Sequence, residues 1–173
     1  LAMFGKAIGN GYAINAIIGK KKFMKNCEKT FISSTFWTER IGSVAALSTI
    51  NYMKKYKTYK KIKQQGLKVK SKWRKLSNKY NLDLKILSMD SIPIFIFDKN
   101  HDVKRRFVIL EMLKNNILAS NIIYLSICHT DKILKIYFKH LEKVFKKISE
   151  TPFSEIKKNV TKLKKISNIN RLN

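Results

Sequence analysis

One lysine of the thirty-two stands apart: Phe4-Gly5-Lys6-Ala7-Ile8-Gly9 sets Lys6 among glycines and apolar residues instead of other charges. Burial disfavours an ammonium, so a lysine desolvated in this way has its pKa lowered and acts as an amine nucleophile, able to form a Schiff base with a carbonyl. The neighbouring glycines let backbone pass close to a planar ring. Read from spacing alone, the same segment also suits a lysine at a strand end beside a turn.

A second element is Ser33-Ser34-Thr35, just ahead of a helix expected to start near Thr38. Hydroxyls and free backbone amides at a helix entrance make an anion site, and phosphate is the usual guest; ordinary capping uses the same residues. Taken together, an amine for an aldehyde and donors for a phosphate fit pyridoxal phosphate. The remaining reactive residues offer less. Cys27 and Cys128 lack any CxxC or Cys-His spacing, and His101, His129 and His140 show no metal-ligand pattern. No metal is expected.

The residues then carry a resemblance. Phe4-Gly5-Lys6-Ala7-Ile8-Gly9-Asn10-Gly11-Tyr12-Ala13-Ile14, Gly19, and Thr30 through Arg40 resemble the C-terminal half of class III pyridoxal-phosphate aminotransferases, closest to the glutamate-1-semialdehyde 2,1-aminomutase-like group. Leu118-Ala119-Ser120 and His129-Thr130 extend the likeness. The resemblance implies an α/β fold, the C-terminal part of a fold-type-I transferase. It also implies pyridoxal 5'-phosphate held by Lys6, with Ser34 and Thr35 reaching the cofactor phosphate of a neighbouring subunit in a homodimer. An amino group would move to or within a small aldehyde or keto substrate. Thr38-Glu39-Arg40 stands where the family usually has Gly-Asn-Pro, so Arg40 either binds a substrate carboxylate or sits on the helix, the reading favoured here. The family's pyridine-facing aspartate, phosphate loop and stacking ring have no counterpart in the chain, which on this reading is a fragment, inactive alone, of an active parent. The start at Leu1 reads as a truncation.

Elements must position these groups. The first twenty residues hold four of the six glycines, and Gly9-Asn10-Gly11 signals a tight turn leading into a short buried strand, Tyr12 to Ile18. A helix over Lys20 to Glu28 follows. Thr38 as N-cap and Glu39 in the first turn open a second helix that runs to about Tyr56. Ile62, Val69, Trp73, Leu76 and Tyr80 share a stripe on a third, Lys60 to Tyr80, which Gly66 weakens. Leu82 to Ile86 alternates as a strand, and Ile92 to Phe97 is a second whose Pro93 suits an edge or strand start. Val103, Phe107 and Leu110 mark a helix, Ile122 to Ser126 a third strand, and Ile133 to Ile148 a last strong helix. After Thr151-Pro152 a short helix or frayed tail completes the chain. Residues 1–56 thus end a large cofactor domain, and 57–173 form a small α+β domain.

Charge restrains these readings little. The chain has 37 Lys+Arg against 11 Asp+Glu, a net charge of +26, built from 32 Lys and 5 Arg beside 23 Ile and 14 Asn. That bias is what AT-rich coding produces, whereas a base reader favours arginine. No specific nucleic acid is expected as a partner. The alternative is a lysine-rich polyanion-binding module over Lys54 to Lys79, with Tyr56, Tyr59 and Trp73 interleaved for stacking; Trp73, however, falls on the apolar stripe. No apolar run approaches the ~20 residues a bilayer requires, so the chain reads as soluble, cytoplasmic and without a membrane partner.

Overall fold

Glycine-rich turns and short strands give way at residue 58 to long amphipathic helices. The computed structural model describes residues 1–33, 35–36 and 38–161, and the chain divides into two units, one through Thr58 and one from Tyr59.

In the first unit β1 (Ala2–Phe4) pairs antiparallel with β2 (Ala16–Ile18), in the register Ala2↔Ile18, Met3↔Ile17 and Phe4↔Ala16. A 3-10 turn, Lys6–Ile8, follows β1 directly. Asn10 at φ 47° and Gly11 at φ 107° then reverse the chain in the left-handed region, as the glycine-asparagine signal expects. The strand expected over Tyr12 to Ile18 is confined to its last three residues, and Ile17 and Ile18 are exposed. Its apolar side chains meet no layer of this chain, so hydrophobic pattern alone overestimated both its length and its burial. Helix α1 (Lys21–Met24) continues as a 3-10 segment, Lys25–Lys29. Helix α2 (Ile41–Tyr56) ends where Lys57, at φ 48°, donates its N–H to the Met53 carbonyl.

Thr38 does not cap that helix. The N-cap position belongs to Arg40, which gives no side-chain cap, and Glu39 precedes the first turn instead of lying in it. The Glu39 N–H closes a turn onto the Phe36 carbonyl at 3.1 Å, so these residues form a turn before the helix and delay its start.

The second unit holds the main core. Helix α3 (Thr58–Lys79) buries Val69, Trp73 and Leu76, the stripe its spacing predicts. Strands β3 (Leu84–Leu87) and β4 (Ile94–Phe97) pair antiparallel, with Leu84 opposite Phe97 and Leu87 opposite Ile94. Helices α4 (His101–Leu113), α5 (Asp131–Glu150) and α6 (Phe153–Thr161) complete the layer around Phe95, Phe97, Phe107, Phe145 and Ile156. Trp73 meets Phe95 edge-on at 4.9 Å, and Phe95 meets Phe145 at 5.7 Å, the geometry that ring quadrupoles favour.

The third strand expected at Ile122 to Ser126 is reduced to one bridge, Ile122 to Ile94. Its backbone does run beside β4: Ile123 N–H donates to the Pro93 carbonyl at 3.2 Å and Leu125 N–H to the Ser91 carbonyl at 3.0 Å. Phe95 N–H returns one bond, to the Asn121 carbonyl at 3.0 Å, but Pro93 has no N–H to answer Ile123, so the two-way ladder stops at that single bridge.

Candidate functional site

The β1–β2 hairpin carries Lys6 just past its last pair, Phe4↔Ala16. Gly5 enters extended, and Lys6 itself takes φ 50°, a left-handed conformation that side chains pay for in strain. Successive turns close the segment, with Ile8 N–H to the Gly5 carbonyl, Asn10 N–H to Ala7 and Tyr12 N–H to Gly9, at 3.3, 3.3 and 3.1 Å. Gly9 is buried so tightly that a Cβ there would collide with the Tyr12 carbonyl. The result is a knot of backbone from which the Lys6 side chain projects. That side chain is exposed, and among the described residues it takes part in no hydrogen bond or ion pair. The burial expected of Lys6 is therefore not found among the described residues: glycines and small residues surround it in sequence, and α2 packs on its turn, but the side chain stays exposed.

Thr35 lies exposed in the turn before α2 and forms no hydrogen bond among the described residues. Ser34 and Trp37 lie outside the described residues. Ser33, also exposed, stands in irregular chain. Among the described residues no hydrogen bond or ion pair joins Lys6 to Thr35, and both are exposed.

The structure adds residues that spacing did not single out. A cavity of about 420 Å³ is lined by Ala13, Ile14, Asn15, Glu39, Gly42 and Ser43, together with Phe36. Asn15 belongs also to the Lys6 turn, since its side-chain oxygen lies where a Cβ of Gly5 would sit. Buried Gly42 brings α2 against the Ala13 carbonyl, and α2 packs on the Lys6–Ile8 turn. The signal for Asn15 was present in the sequence as the one polar interruption of Ile14-Asn15-Ala16-Ile17-Ile18. Arg40 is exposed at the N-cap position before α2, with no ion pair among the described residues.

Elsewhere the histidines fix loops. The Phe97 N–H donates to His101 Nδ1 at 3.3 Å, and the Ser126 N–H donates to His129 Nδ1 at 3.0 Å. Trp73 is fully buried and donates its Nε1–H to the Tyr137 hydroxyl at 3.1 Å, so it cannot stack on a base from the surface of α3. Burial pushes the Tyr137 hydroxyl well above the usual phenol range, only partly offset by that indole hydrogen bond. Among the described residues no helix is long and apolar enough to cross a membrane.

Comparison with known proteins gives these features a context. The family model for class-III aminotransferases matches residues 1–151. The chain is 28% identical over 141 residues to 3-aminobutyryl-CoA aminotransferase of Cloacimonas acidaminovorans, covering 78% of this chain and 34% of that protein. It is 28% identical over 170 residues to glutamate-1-semialdehyde 2,1-aminomutase of Fusobacterium nucleatum, covering 87% and 39%. The chain thus spans little more than a third of the length of these relatives. Its fold superimposes on the PLP internal aldimine form of the FumI protein of Sphingopyxis sp. MTA144 with a TM-score of 0.77 at 19% identity, over 89% of this chain and 39% of the other. A transaminase with PLP bound gives 0.73 at 14%, over 92% and 39%.

Proposed function

We propose, since the chain belongs to the class-III aminotransferase family, that it is the C-terminal part of a pyridoxal-phosphate enzyme moving an amino group to or within a small aldehyde or keto substrate. Residues 1–56 then finish the large domain, and 57–173 form the small one. The observation that carries this reading is the Lys6 amine, projected from a backbone knot with no hydrogen-bond or ion-pair partner among the described residues.

The donors present fit the cofactor. Lys6 offers a primary amine for its aldehyde, and Thr35, with Ser34 beside it in sequence, offers a hydroxyl for its phosphate. Both Lys6 and Thr35 are exposed and unengaged among the described residues, as groups that meet something outside this chain should be. When bound, pyridoxal phosphate supplies an aldehyde that captures amino groups and a ring that accepts the electron pair left by a departing proton.

The chain's own residues do the rest. Lys6 would hold the cofactor through its Nζ, and that Nζ, once free, would remove a proton from the substrate carbon and return one, acting as base and acid in turn. Thr35 and Ser34 would hold the phosphate bound in the second copy of a homodimer, so that each site would need two chains. Covering Lys6 by the remainder of the protein and by that copy would supply the desolvation this chain lacks. The protein is cytoplasmic, with an amino donor and a carbonyl acceptor as its small-molecule partners, and the 173 residues alone are not competent.

Borohydride reduction of the whole protein tests this. Its yellow colour should fade, with the reduced label recovered on the Lys6 peptide, and Lys6→Ala should give colourless protein of unchanged fold. Label on a different lysine would refute the assignment.

A further inference from the structure

Helices α3 and α5 lie side by side in constant register. Lys68 pairs with Asp131 at 2.9 Å, Trp73 with Tyr137 at 3.1 Å and Lys79 with Glu142 at 2.6 Å, offsets of 63, 64 and 63 residues. The first and last of these are ion pairs that cross from one helix to the other, eleven residues or about 16 Å apart at ~1.5 Å per residue. Between and beside them runs a groove of about 630 Å³, inside the ~300–1,000 Å³ range of small-molecule sites. Leu134, Phe138 and Tyr80 provide its apolar and aromatic lining.

The charges in this groove are unbalanced. Its lining includes six lysines and only two carboxylates, Asp131 and Glu142, and both carboxylates are already engaged by Lys68 and Lys79. Lys72 of α3 and Lys135 and Lys139 of α5 line the stretch between the crossing pairs, and none forms a hydrogen bond or ion pair among the described residues. Lys135 and Lys139 stand four residues apart, where like charges repel on a helix. Lys72 is half-buried, and its field adds to the Lys79 hydrogen bond in holding the Glu142 carboxyl below its ordinary range. A composition rich in lysine accounts for lysines on open faces. Here Lys135 and Lys139 are exposed and Lys72 is half-buried, and the three flank an aromatic floor without a hydrogen bond or ion pair of their own among the described residues.

We propose that this groove binds a nucleotide, its phosphates among Lys72, Lys135 and Lys139 and its base against Phe138 and Tyr80. Lysine serves phosphate as a point charge, and aromatic rings accept any base face. The groove continues past the Lys79–Glu142 pair to Lys143 and Lys146, so competition by a single-stranded oligonucleotide is part of the test. The site lies wholly in the second unit, so it stands or falls independently of the role given to Lys6.

Isothermal titration of the full chain with ATP, tripolyphosphate and adenosine at 50 mM salt decides the matter. ATP should saturate one site per chain, with tripolyphosphate and adenosine each at least tenfold weaker. The triple variant Lys72→Gln, Lys135→Gln, Lys139→Gln should weaken ATP at least tenfold, while Lys60→Gln, Lys61→Gln, Lys63→Gln, which removes equal charge from the same helix outside the groove, should change it less than twofold. If the first triple variant does not fold, Lys139→Glu at its exposed position carries the same expectation. Equal loss in both triple variants, tripolyphosphate binding as tightly as ATP, no saturation by millimolar ATP, or a single-stranded oligonucleotide that ATP fails to displace would each overturn the proposal.

Discussion

Lys6 combines an exposed amine with backbone held at φ 50°, and the two properties are separable. Left-handed backbone costs a side chain roughly 1–2 kcal/mol, while glycine loses about 0.5–1 kcal/mol through its freer unfolded state. Lys6→Gly should therefore leave stability unchanged or raise it by up to about 1 kcal/mol in urea titration, though it removes the amine altogether. A loss above that figure would mean that the Lys6 side chain packs where the structure shows it free. Glu111 presents the opposite case, a charge inside the fold. Its side chain is 7% exposed, and it accepts hydrogen bonds from Lys114 and, at 2.5 Å, from Lys147. Burial pushes its carboxyl up, but the two lysines outweigh this and hold it below its ordinary value of 4.5. A depressed carboxylate contributes stability above its unfolded pKa and loses it as pH falls through the folded value. Stability should thus drop below about pH 4.5, and Glu111→Gln should cost about 1–3 kcal/mol at pH 7 while flattening that acid limb, as chemical denaturation across pH 3 to 7 would reveal.

At the scale of elements, Gly66 sets two effects against each other. In an exposed helix, glycine to alanine gains roughly 1 kcal/mol of propensity, and the sequence counts Gly66 as a weakness in α3. In the fold, Gly66 is buried against the backbone of Asp90, and an added Cβ would collide with that carbonyl. The nearby Lys70 pins the same loop, reaching the Ser88 carbonyl at 2.6 Å and the Asp90 carboxylate at 3.0 Å. The loop cannot retreat without breaking these bonds, so overpacking of about 1–3 kcal/mol outweighs the propensity gain and Gly66→Ala should destabilise by up to about 2 kcal/mol net, seen as a lower urea midpoint with unchanged m-value. What the sequence shows of the elements follows the same division. The stripes of α3 and α5 were legible because a 3.6-residue period is written locally: Val69, Trp73, Leu76, Tyr137, Leu141, Val144 and Ile148 are all buried. Ile133 fits that stripe yet is about half exposed, where it lines an open pocket with Leu118 and Tyr124. The strand at Ile122 failed for a reason fixed elsewhere in the chain, the missing donor of Pro93. In the candidate site, Lys6 and Thr35 could be singled out by residue type, whereas the cavity that Asn15 shares with Glu39 could not, since it arises only when α2 packs on the hairpin turn. Helix α2 itself shows what local pattern leaves out. It is apolar nearly all round, yet only Gly42 and Ala46 are buried, and Val44 and Leu47 are 61% and 62% exposed. Helices of that kind are interior elements. Val44→Lys with Leu47→Lys should change the stability of the chain alone by less than about 0.5 kcal/mol and yet prevent assembly of the whole protein, as size-exclusion chromatography of both would test.

Across the whole molecule the governing quantity is the +26 net charge. Eight ion pairs are found among the described residues, most with at least one partner well exposed, as in Lys68–Asp131 and Lys85–Asp98. Exposed pairs contribute about 0–1 kcal/mol each and weaken in salt. The repulsion among the unpaired lysines acts over longer distances, and it too is screened once the Debye length falls to ~8 Å near 0.15 M. The unpaired positive charges far outnumber the pairs, so relief of repulsion should prevail. If screening relieves about 2 kcal/mol, raising NaCl from 20 to 300 mM should lift the Tm of the chain by roughly 4–8 °C at ~2–4 °C per kcal/mol. Scanning calorimetry on the Lys72→Gln, Lys135→Gln, Lys139→Gln variant separates this general effect from anion binding in the α3–α5 groove: a field spread over the molecule leaves most of the rise in place, whereas a local site removes it. A Tm that instead fell with salt would mean that contacts such as Lys79–Glu142, short and hydrogen-bonded, outweigh the field of the whole molecule.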